Sequence, residues 1–375
     1  GQNNMCDALG IINFSRSQIH VEGLQDYRSI GAFSFLGRYR MIDFPLSNMT
    51  NSGMDQIKVF LNKQPRSLVE HLGTGRHYNI NSKRGHLHIL FSEGERKNSL
   101  YDTDIATYLD NLAYIEENPF DYVIIAPSHM IFKQDFDDLM NKHVESGADI
   151  TLLYHTVDNA NESFFNCDIL NLNKQKGVLS IEKNRATAKN RNIFMDTYVM
   201  RKDLFIDLLK KGASHSALYT LPQVVNHACQ DFDVRGVSHR GYFAAVTDLK
   251  SYFDANLSLL DAKTRNLLFE EDWPIYTRTS DSCPTKYLET ASARSSIISN
   301  GCTVEGDIEN SIIGRGCNIK KGAVLKNCVV LPNVTIGEDV HAENLIIDKY
   351  AKLIHAKEVI CTPEQPGYIK RNDSI

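Results

Sequence analysis

The sequence has no CxxC pair, no apolar run near the length of a membrane span and no surplus of positive charge, and each absence removes a class of function. Eight cysteines without paired spacing give neither a zinc ribbon nor a dithiol redox motif. Cys302, Cys317 and Cys328 fall instead inside an apolar repeat, where a thiol serves as a small core residue. A reduced, cytoplasmic setting is the expectation. A bilayer-spanning helix needs roughly 20 consecutive apolar residues, which nothing here approaches, and the polar start at 1–4 does not read as a secretory signal. A formal net charge of -5 offers no broad attraction to nucleic acid or anionic lipid, so small molecules and proteins are the expected partners, with no nucleic acid and no membrane among them.

The chain of 375 residues, 42% hydrophobic and 23% charged, has the composition of a soluble globular protein and exceeds one ordinary core, so two domains are expected. Over 1–265, apolar runs at 8–14, 57–61, 122–126, 150–154 and 198–200 alternate with helical patterns at 45–52, 66–72, 103–117 and 136–146. That alternation predicts an α/β domain on a mostly parallel sheet, with Asp102 capping the third helix and Gly147 ending the fourth. Residues 266–290, containing Trp273, Pro274 and Pro284, read as a linker that lays one domain on the other.

From 291 to 375 the period changes. Ile313, Val330 and Ile347 are spaced by 17, as are Ile319, Ile336 and Leu353, and Leu325, Ala342 and Val359. Steps of five or six residues, three to a repeat, predict a hexapeptide β-helix in which each short strand forms one side of a triangular coil and aims one aliphatic residue inward. Gly301, Gly306, Gly314, Gly316, Gly322 and Gly337 stand between the strands, at turns expected to favour positive φ. An antiparallel sandwich with accidental spacing is the alternative.

Five segments carry a likeness: GRYRMIDFPLSN with NSG at 37–53, EHLGTG at 70–75, SIEKN at 180–184, YFDANLSLL at 252–260 and SCPTKY at 282–287. In that order they resemble the glucose-1-phosphate adenylyltransferase (ADP-glucose pyrophosphorylase) family over nearly the whole chain. The resemblance implies a Rossmann-like, GT-A-like nucleotidyltransferase domain followed by a left-handed parallel β-helix. That family joins two polyanions, a nucleoside triphosphate and a sugar phosphate. It therefore uses a glycine-rich backbone cradle, basic side chains and carboxylate-held magnesium.

Set against those needs, this chain departs at several positions. The family's phosphate loop reads like LAGGRGTRL, whereas 9–16 here is LGIINFSR, with Ile11 and Ile12 where an open cradle is required. The family's GTAxA loop is matched by DTDIA at 102–106, where Asp102 replaces a glycine and Asp104 an alanine. Both carboxylates oppose a triphosphate, and both equally suit a helix start. The metal aspartate of the family's GDH motif falls on His129, and that of its YWRDVGT motif on Ala245. An imidazole and a methyl do not replace two carboxylates around a hard cation, so the resemblance implies a lost Mg2+ site, no metal and no cofactor. The lysine of the family's AKP motif falls on Ile30, and Asp196 replaces a glycine of its sugar-binding segment. Glu182 and Lys183 match an EK pair whose lysine contacts the sugar phosphate. Arg28 and Arg40 match arginines that line a pocket for anionic effectors between the domains of bacterial relatives.

This pattern resembles the family's GlgD-type second subunit. It implies a non-catalytic or weakly active regulatory subunit of ADP-glucose pyrophosphorylase, forming homo-oligomers in isolation and a hetero-oligomer, a heterotetramer, with the catalytic subunit that it activates. The alternative is an active adenylyltransferase making ADP-glucose from ATP and glucose 1-phosphate with displaced ligands, Asp248 and Asp104. A third reading, a hexapeptide acyltransferase, would need His341 or His355 at an inter-coil cleft.

Overall fold

Alternate residues of a strand face opposite ways, so the run LGIIN serves two cores at once. The computed structural model describes residues 6–13, 19–61, 66–80, 85–91, 103–217, 219–279 and 281–375, and makes this run the central strand β1, Leu9–Asn13. With β2 (Gln56–Leu61), β3 (His86–Phe91) and β4 (Tyr122–Pro127) it forms a parallel set in the order β3-β2-β1-β4. A short ribbon strand β5 (Met130–Phe132) follows, and then β6 (Ile150–Val157), β7 (Asp168–Leu172), β8 (Val178–Lys183), β9 (Arg191–Arg201) and β10 (Val234–Ser238). β9 runs antiparallel to both β4 and β6, which joins nine strands into one mixed sheet.

The helices are α1 (Asp43–Asn51), α2 (Arg66–Leu72), α3 (Asp104–Asp110), α4 (Leu112–Glu116), α5 (Phe136–Ser146), α6 (Lys202–His215), α7 (Leu221–Ala228), α8 (Leu249–Ser258) and α9 (Ala262–Asn266). On one face of the sheet, Leu46 and Met49 of α1 and Phe136 and Leu139 of α5 pack on Ile12, Ile57 and Val59. On the other, Tyr108 of α3, Phe205 of α6 and Val225 of α7 pack on Leu9, Ile11 and Ile125. Each such side chain contributes roughly 1.5–3 kcal/mol by leaving water. Ile11 and Ile12 are therefore core residues on opposite faces of β1, and they do not close a phosphate cradle as expected. The continuation of that loop, at 14–18, lies outside the described residues.

The single helix expected over 103–117 is two, because Asn111 turns its amide back to the carbonyl of Thr107 at 2.9 Å and leaves helical geometry. Thr103 caps α3 by accepting from the Ala106 N–H at 3.1 Å, whereas Asp102, expected in that role, lies outside the described residues. Asp135 caps α5, and Gly147 ends it with φ 70. Among the described residues no helix is long and apolar enough to cross a membrane.

Beyond Lys286 the chain winds as a left-handed β-helix of strands two or three residues long, stacked in three five-stranded sheets. Every pairing within them is parallel, which excludes the sandwich. The columns expected from the 17-residue spacing are in register: Ile313, Val330 and Ile347, then Ile319, Ile336 and Leu353, then Leu325, Ala342 and Val359. Of the six glycines, Gly301, Gly316 and Gly322 have positive φ, but Gly306, Gly314 and Gly337 do not. Gly306 is needed for another reason, since a Cβ there would stand 2.6 Å from the Ala323 carbonyl on the next coil. One corner of the coil is instead taken by left-handed asparagines. Asn310 donates to Asn327 at 2.6 Å, Asn327 to Asn344 at 3.2 Å, and Asn344 to the Cys361 carbonyl at 2.8 Å.

The coil is held to the first domain by its third sheet. In the pairs Ile312–Ile313, Val329–Val330 and Ile346–Ile347, the second residue faces the coil interior. The first packs on Phe33, Phe35, Tyr252 and Phe253 of the other domain. The segment around Trp273 lies on α1, with the indole N–H donating to Asn48 Oδ1 and the Tyr276 N–H to Ser47 Oγ, both at 2.9 Å.

Candidate functional site

A cleft opens beyond the carboxyl end of β4, where open α/β sheets hold ligands. β5 pairs antiparallel with β11 (Phe243–Ala245), setting Ala245 opposite Met130, and the Val246 N–H donates to the His129 carbonyl at 2.8 Å. His129 and Ala245, far apart in sequence, thus become neighbours, both about 6% exposed. On the neighbouring strand, the register of β9 against β6 breaks between Phe194 and Tyr198, and Asp196 inside that break takes φ 48. Its Oδ2 stands 3.4 Å from His129 Nε2. Asn13, Gln25, Ile30, Asp104 and Tyr198 also line the cleft.

Asp104 is committed to backbone. It accepts from the N–H groups of Ile105 at 2.7 Å and of Leu221 at 3.0 Å, so its charge lies against the start of α7. Burial, followed by the charges of Asp104 and Asp196, pushes the Tyr108 phenol well above its ordinary pKa. Asp248 is committed too. It caps α8 by accepting from the Ser251 N–H at 2.7 Å, while Ser251 Oγ accepts from the N–H of Asp248 at 3.0 Å. Among the described residues no three His, Cys, Asp or Glu side chains gather to hold a metal ion. The imidazole and methyl at 129 and 245 do not fit magnesium, which prefers several oxygen ligands.

Ile30 begins a 3-10 turn, Ile30–Ala32, and helps wall the cleft. Glu182 and Lys183 are exposed at the end of β8, Lys183 in register with Asp168. The next residue of that motif, Asn184, is structural: its amide donates to the carbonyls of Ala160, Ser163 and Phe164 at 3.0–3.2 Å. His341 lies on the outer face of the coil, 3.3 Å from Glu343, and His355 is exposed.

Arg28 is buried between the domains, where Nη1 and Nη2 each donate to one oxygen of Asp348 at 2.7 Å. The Tyr368 hydroxyl donates to the same carboxylate at 2.6 Å, and Arg28 Nη1 also reaches the Leu24 carbonyl. Arg40 donates to the Ala32 carbonyl at 3.2 Å, and burial lowers its pKa. Burial, then Arg40, Arg28 and Arg371, push the Lys349 ammonium down to about 7. Asp348, Lys349 and Arg371 were not singled out from the sequence; a signal was available, because Asp348-Lys349 interrupts the coil directly after an apolar pair.

The Lys349 shift has a measurable sign. A lysine depressed from 10.5 to about 7 withholds its proton in the fold, so its contribution to stability is present above pH 10.5 and lost as pH falls toward 7. An anion seated among Arg40, Lys349 and Arg371 would offset that repulsion and draw a proton in. Calorimetry with phosphate near pH 8, repeated in buffers of different ionisation enthalpy, is expected to register uptake of up to about one proton, and less in Lys349→Met.

Comparison with known proteins agrees with this architecture. Residues 27–262 match the nucleotidyl transferase family model, and 283–365 match the GlmU-like C-terminal hexapeptide model. The chain is 28% identical to the glycogen biosynthesis protein GlgD of Bacillus subtilis (strain 168), across 97% of this chain and 95% of that one. It is 31% identical to the GlgD protein of Geobacillus stearothermophilus, across 84% and 82%. A glucose-1-phosphate adenylyltransferase of Clostridium perfringens (strain 13 / Type A) is 29% identical across 81% and 78%. By this span of likeness, and by a cleft and coil arranged as described, the chain belongs to the nucleotidyltransferase family of glucose-1-phosphate adenylyltransferases and GlgD-type glycogen biosynthesis proteins.

Proposed function

We propose that this chain is a regulatory subunit of ADP-glucose pyrophosphorylase in glycogen biosynthesis, turning over weakly or not at all by itself and activating a catalytic homologue with which it assembles. One observation carries the reading: the two positions matched to metal aspartates, His129 and Ala245, are brought side by side by the fold and present an imidazole and a methyl in place of two carboxylates. A subunit that acts by shifting its partner's conformational equilibrium needs interfaces and has no need of a cation seat. The first coil leaves Tyr287 and Leu288 55% and 43% exposed, the kind of uncapped end on which another subunit stacks. With Arg28 held by Asp348, the neighbouring cations Arg40, Lys349 and Arg371 are the ones on which an anionic effector would sit between the domains. The GlgD names of two relatives support the pathway. The alternative, an active ADP-glucose-forming enzyme, loses its candidate ligands, because Asp104 and Asp248 both hold helix N-termini.

The test is magnesium-dependent pyrophosphorolysis of ADP-glucose. The chain alone is expected to fall about 1,000-fold or more below ordinary turnover of roughly 1–1,000 per second. Added to a catalytic glucose-1-phosphate adenylyltransferase, it is expected to raise that partner's rate and to sediment with it as a mixed species of four chains. Ordinary turnover by the isolated chain, or a mixture no faster than the partner alone, overturns the reading.

A further inference from the structure

Asp196 is the one residue outside glycine, among the described strands of the nine-stranded sheet, with φ in the left-handed region. A side chain there is strained, and aspartate tolerates it better than most because its short polar group finds partners close by. The bulge has a geometric consequence. It turns the residue out of the regular alternation of β9 and brings its carboxylate to His129 at the end of the neighbouring strand β4, with both side chains under 10% exposed. Asp196 comes from β9, and His129 from the turn between β4 and β5. Because β9 pairs with β4, the contact lies along one side of the cleft, where the ends of these two strands line it. Asp104, at the start of α3, lines the same cleft with its carboxylate held by the Leu221 N–H of α7. An incoming phosphate would meet two carboxylates, and the imidazole that could receive it already faces Asp196.

We propose that the Asp196–His129 contact is an internal latch, a carboxylate of the chain itself set against the position matched to a metal aspartate, which keeps the cleft closed to nucleoside diphosphates. The inference rests on reading this cleft as a nucleotide site that has lost turnover. It goes further by naming the group that excludes the ligand. Exclusion works through charge and through occupation of His129, so removing the carboxylate opens the site, whereas removing the imidazole does not.

The experiment is calorimetric titration of the isolated chain with ADP, with and without magnesium, alongside thermal melting of each variant. Asp196→Gly removes the charge and suits the left-handed backbone, and is expected to bind ADP about tenfold or more tighter than the parent chain without losing melting temperature. Asp196→Asn keeps the size and removes the charge, and is expected to gain less, which also secures the test if the glycine variant folds poorly. His129→Ala is expected to gain nothing. Parent binding as tight as that of Asp196→Gly, an equal gain in His129→Ala, or no gain in either folded Asp196 variant overturns the latch. Because these readings use the chain alone, they stand apart from activation of a partner, which can fail or hold independently.

Discussion

Asp348→Ala is expected to lower the unfolding free energy by about 3–5 kcal/mol, the cost of leaving one member of a buried ion pair without its partner. The carboxylate is fully buried, and it receives both ends of the Arg28 guanidinium together with the Tyr368 hydroxyl. Its removal strands a cation that is only 5% exposed, and a tyrosine hydroxyl with it. Arg28 belongs to the first domain and Asp348 to the coil, so the damage concentrates where the two meet. Chemical denaturation is expected to register lower stability and, if the coil loosens first, a broader transition. The double variant Arg28→Met with Asp348→Leu tests the mechanism: two apolar groups of similar bulk recover most of the loss, because no charge is then buried alone. A loss under about 1 kcal/mol for Asp348→Ala would mean that water reaches this pair, as it does surface pairs.

Asp43→Ala is expected to cost a comparable amount, about 3–5 kcal/mol, by a different route. Asp43 is fully buried at the start of α1 and accepts three bonds: from the Arg40 N–H at 2.7 Å, from His71 Nε2 at 2.7 Å and from the Tyr78 hydroxyl at 2.6 Å. Burial, and then the charge of Asp43, hold the Tyr78 phenol far above its ordinary pKa, so it remains a donor at any working pH. Hydrogen bonds to a charged group contribute about 1.5–3 kcal/mol each and do not add fully, which sets the expected range. Asp43→Asn retains one acceptor oxygen and should lose about half as much in the same denaturation experiment. A neutral effect of Asp43→Ala would separate the GRYRMIDF and EHLGTG segments, which this carboxylate ties together.

Much of this architecture is legible in the sequence. The 17-residue columns of the coil matched the register because a β-helix is nearly one-dimensional, with each inward residue touching its equivalent on the next coil. The α/β signal located β1, β2, β4 and β6 to within a few residues but did not name β3, β7, β8 or β10, and β9 begins well before 198–200, since a long strand crossing a mixed sheet carries no uniform apolar run. Local chemistry corrected the helix over 103–117, where one asparagine amide ended the first helix sooner than periodicity implied. The positions His129 and Ala245 were found by likeness to a family, and the fold brought them together. Ile11 and Ile12, in contrast, look like an obstruction only when the strand is imagined as a loop.

The sequence alone determined the two architectures and the absence of carboxylates at two matched positions, because repeat length, alternation and residue identity are local properties. Tertiary structure decided which charges are already spent. Asp104 and Asp248 belong to helix ends, Arg28 belongs to Asp348, and Asp196 faces His129. A side chain's chemistry depends on its partners and its distance from water, and those are set by chain segments hundreds of residues apart in sequence, which no local pattern records.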